Sequence, residues 1–291
     1  MEGALYGPLG FFVHEQASAH FRTSVSTSPL YAAAVRRLGG LVDDALGHPD
    51  PFDLVDVGAG RGELLAALPD VPARWRLAGV DLNGRWPAEI PELTGLLFAN
   101  EWLDNVPLDV VFDGRLVEVD DSGTERLGGP AAPELKAWAA QWWPDRRRSE
   151  VGLTRDRAWA AAVARVRRGL AVAVDYGHTS TERRTTLTGF RDGRQVTPVP
   201  DGSMDLTAHV AWDSCAASTG AGLIRQREAL CRLGLSASRP PRSLADHDPH
   251  GYLALLAQAG EAATLLDPRG FGAFGWLVQS VGIADPLGAA P

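Results

Sequence analysis

The chain has 291 residues, is 45% hydrophobic and 22% charged, and carries a net charge of −8 with a sequence pI near 5.4. That composition is ordinary for a soluble globular protein, and the length suits one large domain, 1–291, carrying inserted lobes. The negative balance excludes broad nucleic-acid binding, which needs a basic footprint, and no apolar run approaches the ~20 residues of a membrane helix.

The opening MEGALYGPLGFF has no basic leader and is broken by glycine and proline, so no cleaved leader is expected. LYAAAVRRLGGLVDDAL (30–46) repeats apolar positions at helical spacing, interrupted by Gly39 and Gly40. FDLVDVG (52–58) is a short apolar strand, and RGELLAAL a helix that Pro69 helps to end. WRLAGVDL (75–82) and TGLLFANE (94–101) are the next strands; DVVFDGRLVEVD (109–120) supplies one or two more around an Asp-Gly turn. Helices are expected at 133–143 and 155–168, then a buried strand in LAVAVDYG (170–177). The segment 179–222, rich in Thr, Gly, Arg and Pro, has little periodicity. GLIRQREALCRLGL (222–235) reads as helix, HGYLALLAQAGEAATLL (250–266) as a helix or helix pair, and GAFGWLVQSVG (272–282) as a final strand. Strands alternating with helices predict an α/β fold with a mostly parallel sheet, helices on both faces, and inserted lobes at 121–168 and 179–215. Cys215 and Cys231 form no CxxC or zinc spacing and read as reduced thiols of a cytoplasmic protein. DHDPH (246–250) reads as a polar loop, and no metal is expected.

Two stretches carry chemistry. VDVGAGRGELL is strand, glycine turn and helix, with Gly58, Gly60 and Gly62 in GxGxG spacing around Ala59. Such a turn lets a ligand approach the backbone over a helix N-terminus. Asp56 lies within the first strand, and Asp81 ends the second, where a carboxylate accepts hydrogen bonds from ribose hydroxyls. The bland alternative is a turn that only packs strand on helix; NAD is the rival ligand, and the glycine spacing counts against it. The pattern resembles the class I (Rossmann-like) S-adenosylmethionine (SAM) methyltransferases, with Leu82 and Asn83 placed to line the adenine. The second stretch, ANEWLDNVP (99–107), drives an apolar strand straight into Asn100, Glu101 and Asp104, a costly placement unless the groups are paired or used. A plain alternative is that Asn100 and Asp104 cap a helix.

Five ordered matches then resemble the MidA family of methyltransferases, relatives of the mitochondrial complex I assembly arginine methyltransferase: ALYGPLGFF, FRTSVSTSPLY, ANEWLDNVP, VDYGH and MDLTAHVAW. The resemblance implies a class I methyltransferase-like fold, SAM as donor and S-adenosyl-homocysteine (SAH) as product. It implies that 1–48 covers cofactor and substrate, with Tyr6, Phe11, Phe12, Trp102 and Tyr176 toward the substrate. Asp56, Gly58, Ala59, Gly60, Gly62, Asp81, Leu82, Asn100 and Glu101 would hold the cofactor. Glu101, Asp104 and His209 would act in catalysis, although a structural histidine and a capping Asp104 fit the residues as well. The expected acceptor is a protein arginine, whose guanidinium two carboxylates would hold in a fixed fork. A small molecule or peptide is the alternative, and a non-catalytic SAM-binding assembly factor a second one; a homodimer is a further expectation. The chain departs from the family in the short segment between Asp81 and Asn100, where members carry a longer helix and strand.

Overall fold

The computed structural model describes residues 1–14, 23–81, 89–144 and 147–288. Two short helices open the chain, α1 (Glu2–Tyr6) and α2 (Phe11–His14); α3 (Ser24–Thr27), the long α4 (Pro29–Leu46) and α5 (Glu63–Ala67) follow. Ser28 starts α4 by accepting the Leu30 N–H on its hydroxyl at 3.1 Å, Pro29 occupies the first turn, and Gly47 ends the helix in the left-handed conformation. Gly39 and Gly40 do not interrupt it. A Cβ on Gly39 would lie 2.6 Å from the Trp75 ring, so glycine there lets the indole press on the helix.

The central sheet holds β1 (Phe52–Val57), β2 (Trp75–Val80), β3 (Leu93–Asn100), β8 (Val166–Asp175), β14 (Gly222–Arg225) and β15 (Gly275–Val281), in the order β14-β15-β8-β3-β1-β2. β1, β2, β3 and β8 run parallel, while β15 is antiparallel to both its neighbours. Alternate residues face opposite layers. Leu54, Phe98, Val172 and Trp276 pack against Tyr31, Val35 and Leu38 of α4; Val55, Leu97, Ala171 and Leu277 pack against Trp159 of α7 (Leu153–Val163) and Trp212 of α8 (Trp212–Thr219). Each Val, Leu or Phe side chain among these, fully buried, contributes on the order of 1.5–3 kcal/mol of hydrophobic stabilisation. This is the expected mostly parallel α/β architecture of the class I methyltransferase type.

Two smaller sheets flank it. One, ordered β6-β5-β4-β7, is made of β4 (Asp109–Phe112), β5 (Arg115–Val119), β6 (Glu125–Pro130) and β7 (Arg148–Val151), with α6 (Pro133–Trp142) against it. Its extra strands thus run from 109 to 151, whereas α7 belongs to the central layers and stops at Val163. The other, β11-β10-β12, comprises β10 (Thr188–Arg191), β11 (Arg194–Val196) and β12 (Asp205–Thr207). Its Met204–Leu206 edge packs on Leu5 and Phe11. A two-residue pair, β9 (Gly177–His178) with β13 (Val210–Ala211), closes the joint between them.

The helix expected at 222–235 is instead strand β14 followed by α9 (Gln226–Arg232). Pairing with Gly275–Val278 outweighs the helical spacing of a short apolar run. DHDPH is not a loop: Asp246 and His247 end α10 (Ser243–His247), and Asp248 caps α11 (Pro249–Leu265) by accepting the Gly251 N–H at 2.9 Å. Both cysteines are free, Cys215 buried and Cys231 exposed. Among the described residues no helix is long and apolar enough to cross a membrane.

Candidate donor and acceptor site

Register aligns the carboxyl ends of four strands. Val57 pairs with Val80 and with Ala99, and Asn100 with Val174, so Gly58, Asp81, Glu101 and Asp175 emerge along one edge. Ligands gather at such an edge in open α/β sheets. Gly58, Gly60 and Gly62 all have positive φ (76°, 55° and 83°), a backbone that L side chains rarely adopt. The Gly58 and Ala59 N–H groups both donate to Val80 O, at 2.8 and 3.2 Å, tying the turn to the tip of β2. A Cβ on Gly58 would fall 3.2 Å from Trp102 Cβ. Asp56 is buried beneath the turn. Burial first, then the charges of Asp81 and Glu63, push its carboxyl up to about 8, so it keeps its proton at neutral pH. Leu82 and Asn83 lie outside the described residues.

At the end of β3 the chain turns through Glu101, held at φ 51°. A non-glycine residue in that region stores about 1–3 kcal/mol of strain, which the surroundings must hold in place. Four polar contacts do so. Glu101 N donates to Val174 O at 2.7 Å. Its Oε1 accepts from Ser24 N at 2.8 Å and from Asn100 Nδ2 at 3.0 Å. The Tyr31 hydroxyl donates to Asn100 Oδ1 at 2.5 Å. Behind Ser24, buried Gln226 donates to the serine hydroxyl at 3.3 Å and accepts from the Trp276 indole at 3.1 Å. Burial, opposed by the Ser24 N–H and supported by the charge of Asp104, brings the Glu101 carboxyl up to about 7. Asn100 therefore braces Glu101 through its own side chain.

Asp104 sits in a one-turn 3-10 helix, Leu103–Asn105, but does not cap it with its side chain. Its Oδ2 accepts from Thr207 Oγ1 at 2.7 Å and from the Tyr176 hydroxyl, while its N–H donates to Asp175 Oδ2 at 3.0 Å. Nearby, Asn105 Nδ2 donates to Asp205 Oδ1 at 2.8 Å. Burial raises the carboxyls of Asp104, Asp175 and Asp205, the last two well above the usual range; for Asp175 and Asp205 the neighbouring Asp104 charge adds to it. Beneath them lies Arg155, 1% exposed. Its guanidinium donates to the carbonyls of Val106, Ala208, His209 and Asp104 and so stitches two loops together.

These groups wall a cavity of about 520 Å³ lined by Glu101, Asp104, Tyr176, Asp205, His209 and Phe274, with Arg184 to Thr186, Thr188, Phe190 and Gln195 opposite. The His209 ring packs edge-on against Tyr176, with centroids 5.3 Å apart. Burial and the charges of Arg184 and Arg155 push it down to about 4, so it is a neutral imidazole at pH 7 and not a base titrating near neutrality. The cavity brings Glu101, Asp104, Tyr176 and His209 together. Trp102 packs under Gly58 and Tyr6 donates to Asn105 O at 3.0 Å, while Phe11 is fully buried with Phe12 stacked beside Tyr6; these brace the cavity without lining it. Sequence reasoning missed Asp205 and Thr207, although both stand in MDLTAHVAW beside His209. Arg155 gave no signal, because nothing local in LTRDRAW marks one arginine of a helix as buried.

A parallel sheet with a glycine turn and acids along one edge defines a nucleoside-binding α/β protein of the methyltransferase type. Residues 73–226, a little more than half of the chain, match the family described as "Putative S-adenosyl-L-methionine-dependent methyltransferase". The chain belongs to that family and is a SAM-dependent methyltransferase, in keeping with its MidA-like motifs. Its structure is similar to a Burkholderia thailandensis protein crystallised with S-adenosyl-homocysteine bound (TM-score 0.76, 24% identity, covering 98% of this chain and 88% of that one). It is also similar to a native structure of a protein from the same organism and superfamily (TM-score 0.77, 26% identity, covering 98% and 87%). No curated protein matches the sequence.

Proposed function

We propose that this methyltransferase acts on a guanidinium nitrogen of a protein or peptide, held in the cavity walled by Glu101, Asp104 and Asp205. The single observation that carries the reading is that three carboxylates, all raised by burial, converge on one cavity. Buried acids of one sign are costly together, and a planar cation with several donors offsets that cost through charge-assisted hydrogen bonds.

The residues present fit SAM. The three positive-φ glycines leave the turn open to backbone approach, and Asp81, just past the tip of β2, is the carboxylate this reading gives to the ribose hydroxyls. In this reading Asp56, Gly58, Ala59, Gly60, Gly62 and Asp81 hold the donor, with Asn100 and Glu101 near its amino-acid end. Bound SAM supplies a sulfonium methyl, and SAH is its leaving group. Glu101, locked by Ser24 and Asn100, orients the acceptor nitrogen in line and takes up its proton, which a carboxyl near 7 can accept and then release. Asp104 and Asp205 hold the far side of the guanidinium, and Tyr176 fixes the orientation of Asp104. Free thiols accord with a cytoplasmic setting.

A small-molecule acceptor is the second reading, because about 520 Å³ lies within the ~300–1,000 Å³ of ordinary ligand pockets. Calorimetric titration with SAM, followed by transfer of labelled methyl into a lysate of the source organism, separates the readings. Label in protein that hydrolyses to methylarginine supports the first. Label confined to small molecules replaces it with the second, and binding without transfer leaves a non-catalytic SAM-binding protein.

A further inference from the structure

One wall of the cavity comes from the segment Arg184–Thr188, which has no regular structure until β10 begins. Something outside the segment must fix it. The structure assigns that role to Glu150, which reaches it from β7 of the four-stranded lobe, where it pairs with Val110.

Glu150 is 4% exposed. Its Oε1 accepts from the Thr186 N–H at 2.6 Å and the Leu187 N–H at 2.8 Å, and its Oε2 accepts from the Thr186 hydroxyl at 2.7 Å. A carboxylate taken from water is costly unless its oxygens are satisfied, and here both are, by donors from one short segment. Its anchoring strand is far from the donor turn in the chain, and among the described residues its side-chain bonds go only to the wall. Thr186 relays the restraint: with its proton committed to Glu150, its oxygen accepts the His209 N–H at 2.9 Å. His209 in turn packs on Tyr176, whose hydroxyl donates to Asp104. Glu150 is thus a positioning residue joining the inserted lobe to the acceptor wall. It governs how well the acceptor is held and leaves the donor site alone. This rests on reading the cavity as the acceptor site.

The test uses Glu150→Gln and, as a milder change in the same relay, Thr186→Val, each in the full chain. SAM affinity is measured by calorimetry. An apparent KM for the acceptor comes from labelled methyl transfer across a dilution series of the methyl-accepting lysate fraction. Loss of one charge-assisted bond corresponds to about a tenfold effect. The expected result is an apparent KM raised about tenfold in both variants, with the maximal rate within about threefold and the SAM dissociation constant within about twofold of wild type. An unchanged acceptor KM, or SAM affinity falling together with the rate, overturns the assignment. Wild-type protein that transfers no label fails the methyl-transfer reading itself, and is told apart from a wild type that works and a Glu150 variant that works equally well.

Discussion

Replacing Glu101 by glutamine should make the protein more stable and inactive at once. The side chain keeps its shape, and its Oε1 can still accept from Ser24 and Asn100. The acid titrates at 4.5 when unfolded and at about 7 when folded. Below pH 4.5 it is protonated in both states and burial adds no charge penalty. Between 4.5 and 7 the unfolded chain ionises first, so stability falls as pH rises. Above 7 the whole cost stands, about 3 kcal/mol at ~1.36 kcal/mol per pH unit, and this is an upper bound because Glu101 keeps some accessible surface in the cavity. Glu101→Gln removes that cost. Thermal melts of both proteins from pH 4 to 9 should superimpose at the acid end and diverge through pH 7, the variant ending ~5 °C or more higher. Methyl transfer should drop about 100-fold or more. A variant melting below wild type at pH 8, or by a margin that ignores pH, would refute the burial argument. Wild-type transfer by the variant would take Glu101 out of the chemistry.

Three further outcomes are expected. Tyr31→Phe removes the donor to Asn100 Oδ1 inside the core and should cost about 1–3 kcal/mol in urea unfolding, with slower transfer because Glu101 loses its brace; unchanged stability would mean that Asn100 finds another donor. Gly58→Ala must hold a Cβ at positive φ against Trp102, and calorimetry should record SAM affinity weakened at least about tenfold, whereas full affinity would place the donor away from the turn. Transfer by wild type should rise with pH through about 7 as Glu101 ionises, and His209→Asn should keep that limb, since a ring pushed down to about 4 cannot supply it; loss of the limb in the variant would reassign it to His209.

The central sheet was legible because its strands are apolar runs bounded by glycine or acid, and the acids that end them, such as Asp81 and Glu101, read as site residues for that same reason. Gly39 and Gly40 read as a break in α4 because sequence does not show the indole of Trp75 pressed against Gly39. β14 was hidden, since four residues cannot display a period and its strand character comes wholly from β15. The cavity wall was hidden for a different reason. Arg184–Thr188 is shaped by Glu150, a residue 36 positions from Thr186, and no local pattern encodes such a contact. Trp102 stood beside Glu101 in the motif, yet the left-handed turn at Glu101 sends the two side chains to different places, one to the cavity and one beneath Gly58.

The raised acids along the sheet edge and around the cavity make the protein a store of protons at neutral pH. Asp56, Glu101, Asp104, Asp175 and Asp205 all hold hydrogen more tightly than free carboxyls do. A cation entering this edge is exchanged for protons, so its hold tightens as the medium becomes more alkaline, while that of an uncharged ligand does not. Sulfonium donor and thioether by-product differ by one such charge. A donor bound at this edge would then be held more tightly than its by-product as the medium becomes more alkaline, a difference set by acidity and not by shape.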